Sequence, residues 1–299
     1  MNIEINGGIC TGCELCVKIC PTRILGMSNG KARVKAECSL NCGHCAAICP
    51  EGAVTVHTLD TEALKLSTLE GGDKWLDYGK FDSKALVQLM RSRRSCRTFT
   101  GQPVDRSILE DLVRIGITAP SGSNAQRWTF TILDNRATVI ELASGVVRFM
   151  RRLNSMAERS YLRLFSRIFM KGSLVKYYRE YYAIVKESLH EWEENGTDRL
   201  FFGAPAIIVV GMKQGASCPC EDALLASQNI LLAAHAMGLG TCLIGFAVEA
   251  MKHDATIKKI IGIPQDERVY AVIAIGVPGE KFSRQAGRKK PVIRYGKGV

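Results

Sequence analysis

Two runs decide how this chain is read: CTGCELCVKICP at residues 10–21 and CSLNCGHCAAICP at residues 38–50. Together they hold eight of the twelve cysteines; the others, Cys96, Cys218, Cys220 and Cys242, are scattered over the rest of the 299 residues. Clustering of this kind in a reducing compartment points to metal rather than to disulfides. The runs echo each other, each a cysteine-bearing turn, a short helix ending at Cys-Pro and a short strand. MSNGKARV between them reads as a hairpin around Asn29-Gly30. Apolar residues are sparse over residues 1–60, and so short a segment rarely buries a sufficient core unaided, so a bound group is expected to staple it.

Cys10, Cys13, Cys16 and Cys20-Pro21 follow the spacing C-x2-C-x2-C-x3-C-P, in which three thiolates hold one iron–sulfur cluster and the fourth reaches the other. Residues 1–60 resemble the bacterial two-cluster ferredoxins. That resemblance implies one [4Fe–4S] cluster on Cys10, Cys13, Cys16 and Cys49, a second on Cys38, Cys42, Cys45 and Cys20, and electron carriage one at a time. Zinc is the competing reading of paired CxxC motifs; two Cys-Pro endings in swapped register favour iron–sulfur. The second run departs from the pattern, with three residues between Cys38 and Cys42, an extra residue that either bulges or loosens Cys38. His44 sits between ligands and is read as a loop residue.

Outward from the cysteines, residues 61–84, with Gly71-Gly72 and Gly79, read as a linker that wraps rather than packs. From there the texture is α+β: a capped helix in DSKALVQLMRSR, another in SILEDLVRIGITAP, a strand at Trp128–Asp134, and apolar central strands at Ala206–Gly211 and Val269–Val277. DALLASQNILLAAHAMGLG reads as a buried helix ending at Gly238 or Gly240. Residues 145–200 read as one or two long, basic amphipathic helices without proline.

Three polar segments punctuate this framework. Arg91–Phe99 (RSRRSCRTF) interposes a serine among arginines, which suits a phosphate, although a basic run taken alone is more often a solvated face. Ala119–Trp128 (APSGSNAQRW) is a polar loop able to meet the edge of a heterocycle. GRKKP at 287–291 is a second candidate phosphate anchor. With GLGTCLIGF at 238–246, these segments over residues 85–299 resemble the nitroreductase family. The resemblance implies an α+β domain with a central sheet flanked by helices, dimeric, binding FMN at sites lined by both subunits. It implies Arg93, Arg94, Ser95 and Arg97 at the phosphate and ribityl end. Pro120, Ser121, Gly122, Ser123, Asn124 and Gln126 would lie by the ring and ribityl chain, Ile244 and Gly245 would lend backbone to the ring, and Arg288 or Lys289 would close the phosphate site. Arg127 stands where the family has proline, which suggests a less rigid loop exit.

The whole is then expected to be an FMN-dependent oxidoreductase, a homodimer reducing a small conjugated acceptor such as a nitroaromatic or quinone. Electrons would come from a ferredoxin through the clusters, or from NAD(P)H bound transiently over the flavin. Alternatives are an electron-transfer protein serving a protein partner, and a reductive dehalogenation on the same scaffold. The absent GxGxxG fingerprint excludes a Rossmann site, and His57, His190, His235 and His253 are isolated. Cys96 and Cys242 read as packing residues; Cys218 and Cys220 read as two free cysteines near a loop.

Composition fits this reading. Hydrophobic residues make up 46% and charged residues 23% of the chain, as in a foldable globular protein. No apolar run or leader directs it to a membrane, so the compartment is expected to be cytoplasmic. The formal charge of +11 falls to about +5 once two clusters at about −2 each and an FMN phosphate at about −2 are counted. Residues 148–176 carry eight Lys/Arg against Glu158. A solvated helix, a lid, a dock for an acidic donor and a membrane-surface helix are all open for that segment, with a membrane role disfavoured. No nucleic-acid motif accompanies the charge.

Overall fold

The computed structural model describes residues 2–38, 40–70 and 74–296. Gly71-Gly72, marked as linker by the sequence, lies outside them.

The N-terminal region contains β1 (Ile3–Ile5), α1 (Leu15–Ile19), β2 (Leu25–Ser28), β3 (Lys31–Val34), α2 (His44–Ala47) and β4 (Val54–Val56). β1 pairs antiparallel with β4, Ile3 opposite Val56, and β2 pairs with β3. The hairpin turns on Asn29 and Gly30, both left-handed, the conformation that two-residue turns between twisted strands demand. Its core is Ile3, Ile24, Leu25, Ala32, Ala53, Val54 and Val56, with Cys10, Cys16, Cys38 and Cys45 buried among them. The thiols are therefore part of the packing that holds this region together.

The larger region follows as α3 (Ser83–Ser92), α4 (Arg106–Gly116), β5 (Trp128–Leu133), α5 (Arg136–Glu158), α6 (Ser160–Phe169), α7 (Ser173–Glu180), α8 (Tyr182–Asn195), β6 (Ala206–Met212), α9 (Pro219–Ala236), β7 (Gly240–Leu243), α10 (Gly245–His253), α11 (Ala255–Ile260) and β8 (Arg268–Gly276). Its sheet runs β5-β6-β8-β7 with every neighbouring pair antiparallel. Alternation places Ile207 and Val209 of β6 in a core with α5, α10 and α11, and Ile208 and Val210 in a second core with α4 and α9. This is why β6 reads as an unbroken apolar run: it is covered on both faces.

Two expectations are corrected. Residues 145–200 are not one or two helices but the end of α5 and three more. α5 starts at the Asn135 cap and buries Val139, Leu142, Val146 and Met150. It stops where the Arg163 guanidinium takes the carbonyls of Ala157 and Glu158, and Gly172 in the left-handed region separates α6 from α7. The segment after residue 60 also does more than wrap. Ser67 and Thr68 donate both backbone N–H groups and both hydroxyls to the Asp111 carboxylate on α4, the Thr68 contacts at 2.6 and 2.7 Å. Asp111 is fully buried. Burial pushes its carboxyl upward, but the donors from Thr68 and Ser67 outweigh it and hold the group well below the usual carboxylate range, since hydrogen bonds to the charged form favour it.

Candidate functional site

The first group of thiols rings a hollow. Cys10, Cys13, Cys16 and Cys49 line it together with Ile5, Ala32 and Val54. Gly12 makes the loop possible: its φ is +76°, and a Cβ there would lie 2.2 Å from the Gly30 carbonyl oxygen. Burial, then the nearby Cys49 thiol, pushes Cys16 above the ordinary thiol range. Cys49 comes from the second run, so the two runs exchange their last cysteine. The second group mirrors this: burial pushes Cys45 up, with Cys42 and Cys20 adding to it. Cys38 is buried and accepts a hydrogen bond from the Asn41 N–H at 3.2 Å. Among the described residues, no three His, Cys, Asp or Glu side chains converge to hold a single metal ion. Thiols spread around a hollow suit a multi-iron cubane, which presents its corners to separate sulfurs.

The arginine segment lies on the β7 edge of the sheet. Ser95 bridges Thr241 in parallel, and the Cys96 N–H donates to the Thr241 carbonyl at 2.8 Å. Burial, then the guanidiniums of Arg288 and Arg94, pushes Arg93 below the usual arginine range. Among the described residues no carboxylate pairs with Arg93, Arg94 or Arg288. Uncompensated guanidiniums drawn together are a fitting cradle for a phosphate. Arg97 points elsewhere, its guanidinium 5.9 Å from the centre of the Phe202 ring, while its N–H donates to Glu280. β7 leads from here to Ile244, buried, and Gly245, at which a Cβ would meet only open space. Lys289 is exposed. Burial pushes the Cys96 thiol up to about 11, leaving it a protonated packing group.

The polar loop after Pro120 is built from left-handed backbone at Ser123, Asn124 and Gln126. Its conformation is fixed from inside by Ser121 Oγ accepting from the Gln126 N–H and Asn124 Oδ1 accepting from Gln126 Nε2. From outside, Asp222 accepts the Gly122 N–H at 2.8 Å and the Trp128 indole donates to the Asp222 carbonyl. A Cβ on Gly122 would lie 2.4 Å from Ser217 Oγ and 3.0 Å from Cys218 Sγ, so Cys218 belongs to the wall behind this loop. Arg127 does not leave the exit slack, because its guanidinium donates to the Gln214 carbonyl at 2.7 Å. Asp222 is the residue sequence reasoning missed; it lies in the first turn of α9, where acidic residues are common for their effect on the helix end alone.

The structure does not bring the two flavin motifs together within one chain. Gly122 sits at the N-terminal end of α9, and Ser95 at the strand that follows its C-terminal end. The 18 residues of α9 span about 27 Å at ~1.5 Å per residue. The sheet agrees. Trp128 pairs with Met212 at one end of β5-β6, whereas Ser95 adjoins β7 at the level of Ala206 and Ile275. Six residues along the strands and four strand spacings across separate them, about 20 Å by about 19 Å.

Elsewhere, Arg151 and Arg152 pair with Glu193 and Asp254, and Arg163 stacks 4.3 Å from the Tyr178 ring centre. Part of the basic excess is thus neutralised within the helices. Tyr161, Leu164, Phe165, Ile168 and Phe169 remain exposed on α6. Among the described residues no helix is long and apolar enough to cross a membrane.

Comparison with known proteins agrees with this anatomy. The sequence model of the nitroreductase family matches residues 90–277, and that of the 4Fe-4S dicluster domain matches residues 2–62. The chain is 26% identical over 219 residues to an iodotyrosine deiodinase of Thermotoga neapolitana, covering 71% of this chain and 98% of that protein. A nitroreductase with bound FMN from Bacteroides fragilis has a similar fold, with a TM-score of 0.51 and 19% identity over 70% of this chain and 98% of that one. Another with bound FMN, from Desulfitobacterium hafniense, gives a TM-score of 0.50 and 20% identity over 70% of this chain and 97% of that one.

Proposed function

Starting from the fact that the chain belongs to the nitroreductase family and carries a 4Fe-4S dicluster domain ahead of the family fold, we propose that it is a homodimeric, FMN-dependent oxidoreductase fed through two [4Fe–4S] clusters. The observation that carries this reading is the cluster of Arg93, Arg94 and Arg288, which has no carboxylate partner among the described residues. Bound there, FMN would supply the exchange of single electrons for a hydride-equivalent pair.

The chain's part is to bind, orient and exclude. Arg93, Arg94 and Arg288, with Lys289 on the same tail, hold the phosphate and Ser95 flanks it, while the Arg97 side chain lies over the Phe202 ring; Ile244 and Gly245 support the flavin ring. Pro120, Ser121, Gly122, Ser123, Asn124 and Gln126 complete the site from a second copy, since α9 keeps them from the arginines of their own chain. Leu86, Val87 and Met90 of α3, with Leu224 and Leu225 of α9, are exposed on one chain and suit burial against that copy. Cys10, Cys13, Cys16 and Cys49 hold one cluster, and Cys20, Cys38, Cys42 and Cys45 the other.

The acceptor is a small conjugated molecule, a nitroaromatic or a quinone. A halogenated aromatic is the second reading, favoured by the deiodinase relative, which matches over nearly its whole length. The donor is a low-potential protein of the ferredoxin class or NAD(P)H. Anaerobic purification with flavin and iron quantified, followed by an acceptor screen, tests the proposal. The expected result is one flavin and about eight irons per chain, with turnover of at least one acceptor class. Iron without flavin would overturn it, and flavin that reduces none of the three classes would favour a role in passing electrons to a protein.

A further inference from the structure

Resting on that reading, we infer that electrons cross between subunits: the second cluster of one chain reduces the flavin whose phosphate is held by the arginines of the other. Among the described residues, one hydrogen bond joins residues 2–60 to residues 81–296. Asn124 Nδ2 donates to the Asn41 carbonyl at 2.8 Å. Asn41 precedes Cys42 directly, and its N–H donates to Cys38 Sγ at 3.2 Å. Two ligands of the second cluster are thus linked to the flavin loop by one residue and one hydrogen bond. That residue lies in the Cys38–Cys42 stretch that is one longer than its counterpart, and it holds a left-handed φ of 47°.

The Asn124 loop is separated from its own chain's phosphate arginines by the length of α9 and by the diagonal of the sheet. A flavin touching Asn124 therefore has its phosphate on the partner's guanidiniums, and the cluster behind Asn41 serves that flavin. The thiols of the first cluster have no hydrogen bond to the larger region among the described residues, which places them upstream. In each turnover a low-potential one-electron donor is oxidised twice. Two electrons pass singly through the clusters, and with two protons from solvent they reduce the bound flavin, which the acceptor reoxidises.

Heterodimers of differently tagged chains test this, with flavin bleaching by reduced methyl viologen followed in stopped flow. One chain carries Cys42→Ala; the other carries Arg93→Gln and Arg94→Gln. The Cys42→Ala homodimer, with flavin but no second cluster, sets the rate of direct reduction. The mixed dimer should bind half the wild-type flavin and bleach it at the wild-type rate. Bleaching at the direct rate would overturn the inference. In the reciprocal dimer, wild type paired with a chain carrying all three substitutions, the remaining flavin should bleach only at the direct rate, and a wild-type rate there would equally overturn it. The electron paramagnetic resonance signal of the first cluster reports folding of the Cys42→Ala chain. If that signal is lost, deletion of Asn41, which keeps all eight thiols, replaces it; the flavin of the mixed dimer should still bleach at the wild-type rate, and slowed bleaching there would overturn the inference. A wild-type protein that is monomeric or flavin-free would instead overturn the underlying functional reading.

Discussion

The first cysteine run and the second are near copies in sequence set in different surroundings. The first keeps the regular spacing, leaves Cys13 exposed and turns Ile9 and Leu15 toward solvent. The second carries one more residue, and there Asn41 reaches the larger region through Asn124. One run thus presents exposed residues to solvent, and the other is hydrogen-bonded to the loop after Pro120.

The division can be broken most completely at the ligands. Cys42→Ala should abolish cluster-dependent flavin reduction by reduced methyl viologen, whereas Cys13→Ala should spare much of it while losing the reaction with a bulky protein donor; equal loss from both in stopped flow would erase the distinction. Next in size is Asp111→Ala, which strands four donors of Ser67 and Thr68 and should cost about 2–4 kcal/mol in urea unfolding while exposing the segment after residue 60 to protease. Acid probes the same carboxylate. Its folded pKa lies below the unfolded value of ~3.9, so its contribution is full above that value and is lost as pH falls through the folded one. Protease resistance of the segment should therefore hold from neutral pH to about 5 and fall below about 4, and Asp111→Asn should flatten that slope. Smallest is Asn41→Ala, which burdens a left-handed position by about 1 kcal/mol, while Asn41→Gly should leave stability and electron transfer almost unchanged, since the contact uses the backbone carbonyl.

Cysteine spacing made the 4Fe-4S domain legible, because thiolate geometry constrains sequence directly, and both-faced burial made β6 and β8 readable as apolar runs. The Arg93–Ser95 and Ser121–Asn124 segments were legible as motifs but not as distant corners, because separation depends on how far α9 carries the chain and no local pattern records it. Asp111 was hidden for a similar reason. Within SILEDLVRIG it reads as the polar side of an amphipathic helix, and its partners, Ser67 and Thr68, lie more than forty residues away. The break at Arg159 was invisible because it depends on a side chain four residues downstream capturing carbonyls.

The clasp of Ser67 and Thr68 on Asp111 bears on how the reaction should respond to its medium. Carrier domains on free tethers deliver by swinging, and thickening the solvent with glycerol or sucrose slows them in proportion to the drag. Here the strap is fastened to a buried charge before the chain enters the larger region, and Asn41 is already seated on Asn124. Delivery through such a fixed joint should be indifferent to viscosity, behaving as conduction and not as diffusion.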